Sequence, residues 1–313
     1  PVPIKTVEWL EEKNLIPLST EQEKIHLIAR IVGATFGDGG IFATRNAIFL
    51  SSSELSATKM FRYDLIEIFG KEIEQNMILR EGGEYGHSWC QWNTNINVIQ
   101  FFLALGAPLG KKKEKGPIMP SWIWKEKKTA DEFFGAFLGG EIGIPKVHCK
   151  GTYLDTCAVG ITSKPEYRQE TEIFLNEVRK YLKICGIKAG KISIGSDAKD
   201  KNSLILKLLI STTFENMLNL LTLTQIRYCI YKQKKLINTL QGFSKIKLQR
   251  YKDIRAMEYT HQTVLNLLQI NEAIWYILNH EGNLDHLYTP HDIELFEDIK
   301  SINHTLLRRE VSN

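Results

Sequence analysis

The chain has 313 residues, a formal net charge of +4 and 43% hydrophobic residues. That length suits two domains or one duplicated domain with a substantial core, and no apolar run approaches the roughly 18 residues of a membrane span. The five cysteines (Cys90, Cys149, Cys157, Cys185, Cys229) form no CxxC pair, and the eight histidines form no HxxxH or HExxH, so the sequence gives no support for a zinc site. A GxxxxGK[ST] loop is also missing, which argues against nucleotide hydrolysis. PVPIKTVEWLEEKN at the N-terminus shows no secretory signal pattern. Reduced thiols and a cytoplasmic location are therefore expected. The charge is unevenly spread: residues 31–255 carry 33 basic against 22 acidic residues, while 256–313 carry three against nine. KKKEKGPIMPSWIWKEKK (111–128) and the stretch from Arg227 to Arg255 hold much of the excess. A basic middle suits a polyanionic partner.

In chain order, Val7, Trp9 and Leu10 suggest a short N-terminal helix. EQEKIHLIAR then leads into IVGATFGDGGI (31–41), which begins as a buried helix and ends on a carboxylate, Asp38, before two glycines. Gly-Gly stops a helix. Asp38 is therefore expected at a C-terminal end, where the macrodipole is already negative, an unfavourable place for an isolated acid. Two β-like runs follow, GIFA and AIFLSSS, then an amphipathic helix over 56–70. NMILR and HSWCQWN read as strands, and TNINVIQFFLALG as a helix opened by a polar cap after Asn93.

The order then repeats. KTADEFFGAF, with Thr129 or Asp131 as the cap, leads into FGAFLGGEIGI (134–144), whose acid, Glu141, lies 103 residues after Asp38. The strand-like runs IPKVHCK and LDTCAVGITS follow, then a helix over 165–186, the strands KISIGS and LILKLLIS, and a helix TFENMLNLLTLT after Ser211. Each half reads α-β-β-α-β-β-α. The fold class is α+β, a tandem pseudo-two-fold duplication of αββαββα units. The division is an N-terminal extension (1–24), a first repeat with its linker (25–125), a second repeat (126–240) and a helical C-terminal extension (241–313).

The small residues explain the acids. Gly33 and Gly37 give one helix a bare strip, and Ala136 and Gly140 give its partner another, because i and i+4 share a face. Two such helices can pack closely at the centre of a pseudo-dimer, setting Asp38 beside Glu141. An anionic pocket of this kind is resolved by a hard divalent cation, which beside DNA promotes phosphodiester hydrolysis.

With these residues the chain resembles the monomeric, two-repeat LAGLIDADG homing endonucleases, archaeal intron-encoded ones in particular. IVGATFGDG matches the first motif. FGAFLGGEI matches the second less fully, with Ala136 for the usual Gly and Ile142 where Gly normally follows the acid. LGAPLGKKKEKGPIMPSWI (105–123) resembles the family's linker between repeats, and IRYCIYKQKKL (226–236) the phrase that ends its second repeat. The resemblance covers about 25–240. It implies two antiparallel β-sheet saddles, packed through the two motif helices and straddling double-stranded DNA, with cleavage across the minor groove by a monomer.

The same resemblance implies the site. Asp38 and Glu141 are the metal-binding catalytic carboxylates, with Gly37 and Gly140 in the metal set. Lys112 (or Lys113, one residue on) and Lys232 are the catalytic lysines. Mg²⁺ or Mn²⁺ is the expected cofactor, with Ca²⁺ binding without cleavage. DNA contacts are expected from Thr44, Arg45 and Asn46 in the first ribbon's turn, from His87, Gln91 and Asn93 on the first sheet, and from His148, Lys150, Tyr153, Lys191 and Ser193 in the second repeat. Trp89, Trp92, Trp122 and Trp124 are expected to pack rather than to stack on bases. The alternatives are an RNA-splicing maturase of the same fold, with intron RNA as partner, and a DNA-binding regulator with a decayed nuclease core. An intein is disfavoured, since Pro1 is not a splicing nucleophile and the end lacks His-Asn. The acidic segment after 255 reads as helices with apolar positions 264, 267, 268, 274, 275 and 278 and suits a stabilising extension.

Overall fold

The computed structural model describes residues 2–254 apart from 20, 84–85, 149–152, 198 and 225. The helical reading beyond 255, and Lys150, lie outside the described residues. A first helix, α1 (Ile4–Glu12), docks by Leu10 and by Trp9, whose ring stacks on Phe69 at 5.6 Å.

The first repeat runs α2 (Ile25–Phe36), β1 (Gly39–Ile41), β2 (Ile48–Ser52), α3 (Leu55–Phe69), β3 (Met77–Gly83), β4 (Gly86–Asn93), α4 (Ile96–Ala104). The second runs α5 (Lys127–Glu141), β5 (Ile142–Gly143), a ribbon of β6 (Val147–His148) and β7 (Tyr153–Leu154), β8 (Cys157–Ser163), α6 (Arg168–Ile184), β9 (Ala189–Ser196), β10 (Leu204–Ile210), α7 (Phe214–Leu223). A long helix, α8 (Ile230–Ile254), follows, so the expected boundary at 240 falls inside it. The sheet orders are β1-β2-β4-β3 and β5-β8-β10-β9, antiparallel throughout. This is the duplicated α+β arrangement. No helix among the described residues is long and apolar enough to cross a membrane.

Local chemistry sets several of these boundaries. Asn95, not Asn93, caps α4, its side chain accepting from the N–H groups of Asn97 and Val98. Asn93 instead turns its Oδ1 to the Asn95 N–H. Neither Thr129 nor Asp131 caps α5. The helix starts at Lys127, which places both inside the first turns, where Asp131 pairs with Lys127 at 2.6 Å and accepts from the Tyr181 hydroxyl at 3.2 Å. The run IPKVHCK is not one strand. Pro145, which cannot donate to a ladder, separates β5 in the main sheet from β6 in the ribbon.

α2 is buried over most of its length, with His26 and Arg30 as its polar exceptions, as suits a central helix. It crosses α5 at the expected strip. A Cβ built on Gly33 would stand 2.1 Å from the carbonyl oxygen of Phe133, and one on Gly140 would stand 2.8 Å from the Asp38 nitrogen. A second strip on α5 went unnoticed in the sequence. Gly135 accepts from the Arg227 N–H at 3.0 Å, and a Cβ on Gly139 would overlap the Arg227 carbonyl oxygen at 1.9 Å. The chain that leaves the second repeat thus lies against α5.

Both repeats are also joined by a buried charged network. Glu132 of α5 accepts from Arg30 Nε at 2.7 Å and from Arg227 at 2.8 and 3.0 Å, while Arg30 reaches Asp64 of α3 at 3.1 Å and the Tyr228 hydroxyl donates to Asp64. Two cations face two anions, so the desolvation cost is offset by pairing. Arg30 is held above its ordinary pKa by Glu132 and Asp64 against its own burial.

Gly33→Ala is expected to destabilise the chain by about 1–3 kcal/mol or more, because the clash is with backbone that cannot swing aside. Gly242→Ala in α8, where nothing among the described residues lies within 4 Å, should be neutral or stabilising by up to about 1 kcal/mol. Chemical denaturation of both variants reads the contrast.

Candidate active site at the paired helix ends

The site is built by the two C-terminal ends of α2 and α5. α2 stops at Phe36 with Gly37 as its C-cap, and Asp38 is the next residue. α5 continues through Gly139 and Gly140 to Glu141. The two acids therefore leave their helices differently. Gly37 and Gly140 meet at the pseudo-two-fold axis, where a Cβ on Gly37 would lie 3.5 Å from the Gly140 Cα, and one on Gly140 would lie 3.3 Å from the Asp38 carboxyl carbon. Two negative helix ends and two carboxylates thus converge.

The lysines complete the arrangement. Lys112 Nζ donates to the carbonyls of Phe36 (3.2 Å), Gly37 and Gly39 (3.1 Å). Lys232 Nζ donates to the carbonyl of Gly140. Each lysine takes the last helical carbonyl before an acid, where a cation complements the macrodipole. The linker brings Lys112 there through a bridge of Leu109 to Ile41 and the Gly110 N–H to the Ile41 carbonyl at 2.8 Å. Lys113 points elsewhere, to Asp200 at 3.0 Å. The alternative position one residue on is therefore away from the helix ends.

Glu141 feels the cost of this crowding. Burial pushes its carboxyl up to about 7, and Asp38 adds to the rise while Lys112 and Lys232 oppose it. Burial likewise lowers the Lys112 ammonium, against the pull of Glu141 and Asp38. A cleft of about 480 Å³ opens beside Glu141 and Lys112, walled by Phe36, Gly160, Thr162 and Phe174. The donors present are two carboxylates and main-chain carbonyls, hard oxygen ligands that fit a divalent cation of the Mg²⁺ or Ca²⁺ type. No group of three His, Cys, Asp or Glu forms a metal cluster among the described residues, so other ligands would come from water or a phosphate.

The surface residues divide by face. Thr44, Arg45 and Asn46 are exposed at the first ribbon's turn, with Arg45 at φ 55°. His87 is exposed, and so are His148 and Tyr153, whose rings stack at 5.0 Å across the β6–β7 ribbon. Lys191 and Ser193 are exposed, and Ser193 pairs with Lys207. Gln91 and Asn93 are not on the open face. They stand opposite Leu50 and Ile48, whose side chains enter the helix-side core, and strand alternation carries them inward too. Gln91 spends its amide on the carbonyls of Ile78 and Trp92. Trp122 and Trp124 pack as expected, with the indole N–H of Trp122 on the Leu105 carbonyl and that of Trp124 on Glu177.

One residue escaped the sequence reading. Burial raises the Glu54 carboxyl, and the backbone N–H groups of Ile230 and Tyr231 at the start of α8, two residues before Lys232, oppose that rise. An acid at a helix N-terminus is the relevant signal, but its helix lies 176 residues further along the chain.

No family profile matches the chain. Among curated proteins it is 28% identical over 197 residues to the RNA polymerase subunit Rpo1N of Methanocaldococcus jannaschii, covering 58% of this chain and 14% of that one. It is 27% identical over 210 residues to the tRNA-splicing ligase RtcB of Pyrococcus furiosus (61% and 21%) and 33% identical over 138 residues to the Lon protease of Pyrococcus abyssi (42% and 12%). The chain thus spans about a fifth or less of the length of these relatives. Among solved structures it aligns with the homing endonuclease I-DmoI in complex with DNA and Ca at TM-score 0.42 and 11% identity (69% of this chain, 100% of that one). It aligns with the homing endonuclease I-WcaI bound to its DNA recognition sequence at 0.41 and 14% (73% and 97%), and with the N-terminal LAGLIDADG domain of WhiA at 0.40 and 14% (74% and 95%).

The raised Glu141 carboxyl has a pH signature in metal-free solution. The folded chain holds this proton above the ordinary value of 4.5, so the contribution of Glu141 to stability is full below that value. It is lost as the pH climbs from 4.5 to about 7. Glu141→Gln should flatten this part of the stability curve, measured by urea denaturation in EDTA between pH 4.5 and 8. An unchanged slope would show that Glu141 titrates as an ordinary carboxylate.

Proposed function

We propose that this chain is a LAGLIDADG-type homing endonuclease, a monomer that cuts both strands of a long asymmetric DNA site with divalent metal. The observation that carries the reading is the doubled helix end: Asp38 and Glu141 brought together at one axis, each preceded by a glycine whose carbonyl holds a lysine. A packing role alone needs no acid at these positions. Two antiparallel sheets flanking the paired ends suit a duplex whose major groove admits a two-stranded ribbon. The basic stretches through 111–128 and 227–255 suit its phosphates. The curated relatives have unrelated activities, and the segment that matches covers 42–61% of this chain but only 12–21% of theirs. That pattern fits a transferable module and gives no support to carrying over polymerase, ligase or protease chemistry.

On this reading, Asp38, Glu141 and the carbonyl oxygens of Gly37 and Gly140 would hold Mg²⁺ or Mn²⁺, which would supply Lewis acidity at the scissile phosphates and an activated water. In this structure Lys112 and Lys232 take those carbonyls; with a metal bound they would release them and stand as cations beside the carboxylates. As charge builds on the phosphate, those ammonium groups stabilise it. The exposed turn at Thr44, Arg45 and Asn46, the β6–β7 ribbon and the open face at Lys191 and Ser193 are the DNA-facing elements.

Asp38→Asn and Glu141→Gln should each abolish double-strand cutting in Mg²⁺ while leaving DNA affinity within a few-fold. The substrate is a plasmid pool carrying candidate intron-insertion junctions. Binding by the wild type without any cutting would favour the regulator with a decayed core. Cutting by the double variant would remove the acids from the chemistry.

Lys112→Met and Lys232→Met separate a second point. If the lysines act at the cleavage centre, single-turnover rates at saturating enzyme should fall by 10- to 1000-fold or so, with little change in affinity. Unchanged rates with weaker binding would make them phosphate clamps.

A further inference from the structure

The two sheets differ on their open faces. On the first, Phe42 stacks on Phe49 at 4.5 Å and meets Trp92 edge-on at 5.1 Å, and the Arg80 guanidinium carbon lies 4.1 Å from the centre of a Trp92 ring. Register explains the grouping: Phe49 and Ile78 both pair with Trp92, and Arg80 pairs with Cys90, which sets Arg80 diagonal to Trp92 on the same face. The corresponding face of the second sheet carries Ala158, Gly160, Thr162, Ile205, Lys207 and Leu209, none of them aromatic. Among the described residues, the arginine–aromatic unit stands on the first sheet.

Arg80 is exposed, and no carboxylate among the described residues pairs with it. The Trp92 contact sets the indole against one side of the guanidinium and leaves its N–H donors without a carboxylate partner among the described residues. It also fixes the direction of a side chain that would otherwise sweep freely. A phosphate clamp needs no such fixing, because phosphates line the whole duplex. A fixed planar fork on a surface suited to the major groove matches the paired O6 and N7 acceptors of guanine.

We propose that Arg80, aimed by Trp92, reads a guanine in the half of the DNA site covered by the first repeat. The inference rests on the reading of the chain as a site-specific DNA-binding nuclease. It makes recognition lopsided, with a fixed reader in one half and no such unit among the described residues of the other.

The test is selection of bound duplexes from a random pool in Ca²⁺, followed by sequencing, with the full chain as wild type, Arg80→Ala and Trp92→Leu. The wild type should enrich a motif containing a guanine preferred by roughly 5- to 100-fold over other bases. Arg80→Ala should erase the preference at that one position and keep the rest of the motif. Trp92→Leu, with Arg80 present but unsupported, should weaken it. Arg80→Ala should melt with the wild type, since its side chain is on the surface. A motif unchanged by Arg80→Ala, whether or not overall affinity drops, overturns the proposal and leaves Arg80 a phosphate contact or a bystander. A wild type that enriches no sequence overturns the nuclease reading itself, and this inference falls with it.

Discussion

The close approach of α2 and α5 is the constraint on which the rest depends. Their backbones touch at Gly33 and at the Gly37–Gly140 pair, with no room for a Cβ at the tightest points. Van der Waals contact at that distance is strong only because no side chain intervenes. The same proximity fixes the position of the acids. Moving the helices apart by a methyl group would relieve the packing and separate Asp38 from Glu141. Core and candidate site are therefore one structure, and the site inherits its rigidity from the core.

The chain then has to manage the charge it has gathered. Two helix C-termini and two carboxylates form a strongly negative centre, and the answer is local: Lys112 arrives from the linker after the first repeat and Lys232 from the helix after the second. Each lysine comes from a segment that follows its repeat's last sheet helix, so the centre is complete only after both repeats and both trailing segments have folded. Arg227, five residues before Lys232, crosses the Gly135–Gly139 strip and enters the network with Glu132. Glu54 in turn faces the first turn of α8. Positioning of the second lysine thus draws on both halves.

Much of this was legible in the sequence because it repeats. The 103-residue offset between Asp38 and Glu141, the small residues four apart and the matching order of strands and helices specify the duplication without any distance information. The misses have physical causes. Thr129 and Asp131 looked like caps because capping residues are judged locally, while the start of α5 at Lys127 is set by how the helix docks. Gln91 and Asn93 looked like surface polar residues because alternation in HSWCQWN is ambiguous when both faces carry bulky or polar groups. Only the pairing with Ile48 and Leu50 decides which side is buried. The Gly135–Gly139 strip and the approach of Glu54 to α8 join segments about 90 and 176 residues apart, and no local pattern records such pairs.

The seam between the repeats has a consequence for how the molecule responds to ionic strength. Its charged groups are shielded, with Glu132 7%, Asp64 13% and Arg30 14% exposed. Dissolved ions weaken charges in water far more than charges enclosed by protein. Affinity for a polyanion, in contrast, falls steeply with salt, because the counterions that a bound protein releases gain less entropy in a concentrated solution. For a chain that binds nucleic acid as proposed, concentrated salt therefore strips the partner away while the joint between the two halves stays shut. The molecule can be emptied without being opened.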